Sequence, residues 1–113
     1  MNLQELLAGV TDARIKGESA IDIAGLAYDS RKVRPGELFF STAKDAAQSR
    51  ANIGDALSRG ARALVVKDGV EVDARPAATV VESNHLRLTM GVMASRFFDA
   101  PSRRVKLQKI WRA

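Results

Sequence analysis

Two rhythms of apolar and polar positions run along this chain. Residues 2–9 set Leu3, Leu6 and Leu7 at helical spacing, which predicts a short amphipathic opening helix. Residues 10–22 are mixed and polar, with Gly17 as a breaker. The run IAGLAY (23–28) reads as a buried strand that ends at Asp29-Ser30, and ELFFST (37–42) reads as the next. Between them Pro35-Gly36 signals a turn, because proline presets φ and glycine accepts φ > 0. After a polar stretch, ANIGDALSRGA puts Ile53, Ala56 and Leu57 on one helical face, with Gly60 as the C-terminal stop. RALVVK (62–67) is short, apolar and β-branched, as central strands are, and AATVVE (77–82) is another strand. Ser83 or Asn84 can cap a helix through residue 98, with Leu86, Met90, Met93, Ala94 and Phe97 along one face. Pro101 ends that helix, and RVKLQKI alternates like a last strand. Strands alternating with helices predict an α/β layered domain with a mixed, largely parallel sheet of about four to five strands flanked by helices.

Composition narrows the class. At 113 residues the chain is one domain by length, and its 46% apolar and 27% charged residues are ordinary for a soluble globular protein. It has no cysteine, which excludes disulfides and thiol chemistry and fits a reducing compartment. No apolar run approaches the ~20 residues that span a bilayer. The opening MNLQELLAGV carries neither a basic n-region nor a long apolar core, so the expected location is the cytoplasm, away from membranes.

The net charge of +5 and a pI near 10.1 invite a nucleic-acid reading, and the charge distribution argues against it. Residues 96–113 hold Arg96, Arg103, Arg104, Lys106, Lys109 and Arg112 against one acid, Asp99. That leaves 12 basic and 12 acidic residues, of the 18 and 13 in all, to positions 1–95. A basic tail on a neutral body is a weaker signal than a basic face. It suits docking to an acidic protein partner or to another domain better than binding nucleic acid.

Most candidate chemistry dissolves on inspection. His85 is the only histidine, and without cysteine or a second histidine a metal site is not expected. A triad of Ser30, His85 and Asp29 lacks the Gly-x-Ser-x-Gly elbow that would present a serine. Neither Gly-x-x-x-x-Gly-Lys-Ser/Thr nor Gly-x-Gly-x-x-Gly is present, which argues against an autonomous nucleotide-hydrolysing enzyme. Asp68 and Glu71 read as solvated loop charges, and Met90, Met93, Phe97 and Phe98 as a core stripe. No catalytic residue is assigned.

The remaining candidate is Tyr28-Asp29-Ser30-Arg31. It follows a buried strand, where ligands of α/β folds usually meet the sheet. A serine hydroxyl and free backbone N–H groups suit ribose hydroxyls, pyrophosphate or a base edge, and Tyr28 can offer a stacking face. A second reading stands beside this one: Asp29 and Ser30 bond the following backbone and merely shape the bend.

The stretch GLAYDSRKVRPGELFF (25–40) resembles the start of the Mur ligases, in the branch that adds the third amino acid, diaminopimelate or lysine, to the peptidoglycan precursor. That family carries Asp-Ser-Arg and then Pro-Gly-Asp/Glu-Leu-Phe at this spacing. The resemblance continues through ALSRGARALVV and through HLRLTMGVMASRFFDAPSRRVKL, covering residues 3 to about 107. It implies that residues 1–107 form the first, UDP-precursor-binding domain, with 108–113 a divergent basic tail. By the motif, Tyr28 and Ser30 fall on positions that contact UDP, and Asp45, Ala46 and Ala47 on a loop that also touches it. Asp29 and Arg31 are implied as supporting residues. The implied ligand is UDP-N-acetylmuramoyl-L-alanyl-D-glutamate, or UDP itself.

The family's ATP and magnesium are bound by a second domain that the match does not include, so no cofactor and no ligase activity are expected of this chain alone. Three departures stand out. Lys44 stands where the family usually has Gly and Gln48-Ser49 where it has Asp-Gly, Asn52 replaces an aromatic residue, and LQKIWRA stands where the family approaches its phosphate loop. A position needing φ > 0 tolerates lysine or serine poorly, so the loop at 44–49 is expected to have changed shape. The alternative is a non-catalytic protein-interaction module that keeps the fold and has lost UDP binding.

Overall fold

The most apolar runs of the chain become the centre of its sheet. The computed structural model describes residues 1–70, 72 and 78–99. It contains β1 (Ala13–Lys16), β2 (Leu26–Ala27), β3 (Leu38–Phe40), β4 (Ala63–Lys67) and β5 (Thr79–Ser83). They form one sheet in the order β1-β5-β4-β3-β2. β2 through β5 are mutually parallel, and β1 joins β5 antiparallel with Ile15 opposite Val81. The helices are α1 (Leu3–Leu7), α2 (Ala46–Ser58) and α3 (Leu86–Phe98), with one 3-10 turn at Ser30–Lys32. This is the mixed, mostly parallel α/β sheet that the alternation of elements predicts.

Side chains on successive strand residues point to opposite faces, and this divides the core in two. Leu38, Phe40, Ala63, Val65 and Val81 face α1 and α3, against Leu3, Leu6, Met93 and Phe97. Phe39, Leu64, Val66 and Val80 face the other way, against Ile53 and Ala56 of α2. Because helices cover both faces, a central strand has no wet side. Ala63 to Val66 are all fully buried, which is why β4 reads as a continuous apolar run.

Two glycines carry the connections near the future site. Gly36, at φ 86°, follows Pro35 in a turn closed by the Glu37 N–H donating to the Arg34 carbonyl at 3.1 Å, the geometry of a type II turn. Gly60, at φ 93°, ends α2: its N–H donates to the Leu57 carbonyl and that of Ala61 to the Ala56 carbonyl. Those two bonds are the Schellman pattern, and they satisfy carbonyls the helix leaves open. The Gly60 carbonyl then accepts from Gly36 N–H at 2.9 Å, locking the turn to the helix end.

Buried hydroxyl pairs pin the two long helices to the strand ends. Ser41, just past β3, meets Ser49 of α2 at 2.9 Å. Ser83, at the end of β5, meets Thr89 of α3 at 2.7 Å. All four residues are buried.

Several local expectations shift. The polar stretch after Val10 contains β1, whose charged side chains are held from β5 and from the turn after β4: Lys16 pairs with Glu82, and Arg14 with Glu82 and Asp68. Charged side chains of this kind suit a sheet edge, which must not recruit another strand. The strand expected at 23–28 narrows to Leu26–Ala27. The helix expected from Ala51 starts five residues earlier at Ala46, capped by Asp45, whose side chain accepts the Ala47 N–H. Neither Ser83 nor Asn84 occupies the cap position of α3. His85 does, without a side-chain cap bond, while Ser83 Oγ accepts the His85 N–H at 3.2 Å. Phe98, expected on the core stripe, is 50% exposed. The last strand and Pro101 lie outside the described residues, as does the basic tail beyond Asp99. Among the described residues no helix is long and apolar enough to cross a membrane.

Candidate functional site

The Asp29-Ser30-Arg31 corner takes its shape from its own side chains. β2 ends at Ala27, and Asp29 caps the 3-10 turn with Oδ1 accepting the Arg31 N–H at 3.0 Å. The Arg31 guanidinium returns to the same carboxylate, Nε to Oδ1 at 3.1 Å and Nη2 to Oδ2 at 2.9 Å. These side-chain bonds, with the backbone bond second, hold the Asp29 carboxyl below the usual range, down to about 2. Asp29 and Arg31 are therefore paired with each other, and Asp29 also bonds the following backbone.

Ser30 is different. It is only 7% exposed, and its hydroxyl makes no hydrogen bond with any described residue. No buried side-chain oxygen among the described residues lacks a partner, so the unbonded Ser30 hydroxyl is reached by solvent although most of its residue is buried. It sits in the wall of a cleft of about 570 Å³ lined by Tyr28, Asp29, Ser30, Arg31, Gln48, Ala51, Asn52 and Asp55. That volume is ordinary for a small-molecule site. The first wall is the corner after β2, and the second is α2, which packs against the 3-10 turn. The cleft thus opens at the carboxyl end of a parallel strand, where α/β sheets usually take ligands.

Tyr28 is 48% exposed, and one face of its ring is already stacked on Phe40, with centroids 5.2 Å apart and planes at 16°. Phe40 is fully buried in the sheet, so it fixes the tyrosine ring from behind. Asp45, Ala46 and Ala47 form the cap and first turn of α2 and do not line this cleft, although Ala47 directly precedes Gln48, which does. Ala46 borders a separate cleft of about 530 Å³ with Arg50, Gly69 and Val70. At 44–49 no residue has positive φ, and Gln48 and Ser49 are ordinary helix residues.

The α2 wall was not named as a site from the sequence. Gln48, Asn52 and Asp55 recur at i, i+4 and i+7, which is one helical face, set beside the Ser49-Ile53-Ala56 face that meets the sheet. That polar stripe was the available signal. Gln48 Nε2 donates to Asn52 Oδ1 at 2.9 Å, and Arg59 Nε donates to Asp55 Oδ1 at 3.0 Å. Both carboxylates of the cleft are thus tied to arginines. His85 lies elsewhere, exposed, with Nδ1 3.1 Å from Asp12 Oδ2.

A helix–sheet–helix domain with a mixed, mostly parallel sheet and a polar cleft at the sheet's carboxyl end belongs to the layered α/β class. No family model matches the chain. Among curated proteins it is similar to the UDP-N-acetylmuramoyl-L-alanyl-D-glutamate–2,6-diaminopimelate ligase of Solibacter usitatus, 38% identical over 112 residues, covering 97% of this chain and 22% of the relative. The enzyme of the same name from Rhizobium meliloti is 41% identical over 87 residues, 76% of this chain and 18% of its own length. That of Cytophaga hutchinsonii is 27% identical over 107 residues, 95% of this chain and 22% of its own. The chain therefore spans about a fifth of the length of these relatives, and it belongs with the Mur ligases as the counterpart of one segment of them.

Proposed function

We propose that this domain binds the UDP end of a UDP-N-acetylmuramoyl-peptide precursor in peptidoglycan biosynthesis. The observation that carries the reading is the Ser30 hydroxyl, which bonds no described residue and sits, open to solvent, in the wall of a polar cleft. A ribose or uracil oxygen would satisfy it. Asp29 and Arg31 act one step back, holding the turn that aims Ser30. The first N–H groups of α2 have no partner within the helix, and Asp45 takes only that of Ala47, so the Asp45–Ala47 turn can receive a phosphate oxygen next to the cleft. The reading assigns binding, and no chemical step, to these residues. Amide-bond formation with ATP belongs to the whole ligases that the relatives' names describe.

Backbone NMR titration with UDP and with UDP-N-acetylmuramoyl-L-alanyl-D-glutamate tests this directly. Shifts should cluster at residues 28–31 and 45–52. Ser30→Ala should weaken binding by about 0.5–1.5 kcal/mol, roughly two- to twelvefold, for one lost hydrogen bond. A flat titration at millimolar UDP would transfer the domain to the interaction-module reading.

A further inference from the structure

We propose that the Gln48–Asn52 amide pair on α2 is the base-reading element of this cleft, matched to the imide edge of a uracil ring. The inference rests on the UDP reading and adds to it the residues that would select the base. The two side chains stand one turn apart on the same helical face and line the cleft on either side of Ala51, whose methyl group lets a flat ring come close. Their mutual bond, Gln48 Nε2 to Asn52 Oδ1, orients both amides and uses one hydrogen and one oxygen of the four groups. Gln48 Oε1 and the Asn52 amino group then remain as a neighbouring acceptor and donor. If the two amides exchange roles, one oxygen and one amino group still remain.

That pattern complements N3–H and an adjacent carbonyl of uracil, the donor and acceptor of an imide. Charge on the remaining wall favours a neutral group over a phosphate. Asp29 and Asp55 are both tied to arginines of their own elements, and Arg31, the one cation among the described lining residues, is paired with Asp29. No unpaired cation among the described lining residues invites a diphosphate, so the base is the part of the ligand that this wall is suited to hold.

The test uses the full chain, with UDP and 3-methyluridine 5′-diphosphate as probes. Dissociation constants come from the shifts of the Ser30 and Ala51 amides. The N3-methyl group removes the donor and leaves the diphosphate intact. Wild type should bind the methylated ligand at least about tenfold more weakly, since a polar site that loses its partner discriminates strongly. Gln48→Met with Asn52→Leu keeps the approximate size and improves helix propensity, so α2 should form. This double variant should bind UDP about tenfold more weakly and treat the two ligands alike. Discrimination that survives in the double variant, or equal binding of both ligands by wild type, overturns the role of the pair while leaving UDP binding standing. Absence of any UDP binding to wild type overturns the site reading itself, and this inference with it.

Discussion

Replacing Ser49 by alanine asks whether its buried hydroxyl bond to Ser41 holds α2, and with it one wall of the cleft, on the sheet. Both residues are 3% exposed, their oxygens are 2.9 Å apart, and neither hydroxyl has another partner among the described residues. Removing one oxygen strands the other where water does not reach. An orphaned group of this kind costs about 1–3 kcal/mol, whereas removing both partners together is nearly neutral. Ser49→Ala and Ser41→Ala should therefore each lose about 1–3 kcal/mol, and the double variant much less than the sum. The difference is a coupling energy of about 0.5–3 kcal/mol, as expected for groups in direct contact. Urea unfolding measures each loss as a shift in midpoint at unchanged slope. In a domain of this size each 1 kcal/mol also moves Tm by about 4–8 °C. Strictly additive losses, or single losses below about 0.5 kcal/mol, would refute the argument, because they would mean that the surviving hydroxyl finds water.

Two further expectations concern the frame of the site. Gly60→Ala forces a side chain onto φ 93° with its Cβ 3.0 Å from Pro35 Cα, so it should cost at least about 1–2 kcal/mol; a Tm within a degree of wild type would contradict this. The Asp29 carboxyl, held down to about 2 chiefly by its side-chain bonds to Arg31, should stabilise the fold fully above about pH 4. That contribution is lost as pH falls through about 2, because protonation removes the acceptor. The Tm gap between wild type and Asp29→Asn should accordingly be constant above pH 4 and close between pH 4 and 2. A gap that widens toward acid would reverse the sign of the reasoning.

What the sequence determined by itself was whatever short-range pattern and turn chemistry control. The apolar runs at 37–42, 62–67 and 77–82 announced β3, β4 and β5, because strands buried on both faces read as short, mostly apolar runs. Pro35-Gly36 and Gly60 marked real turns, since each supplies a backbone conformation that few other residues adopt. The Asp29-Ser30-Arg31 corner was legible as a place of interest. Its division of labour was not, because that depends on which oxygen each donor reaches.

Tertiary structure decided the rest. β1 has four residues and only one large apolar side chain, Ile15; its ladder comes from β5 and its ion pairs from Asp68 and Glu82, more than fifty positions away. The first turn and a half of α2, AAQSR, lacks an apolar stripe, and its inward residue is a serine satisfied only by Ser41 on the sheet. Only when that pin and the α2 core contacts set the helix against the 3-10 turn do Gln48 and Asn52 come to face Ser30 across one cleft. Sequence spacing places two residues on one face of one helix. It takes the packing of that helix to say what they look at.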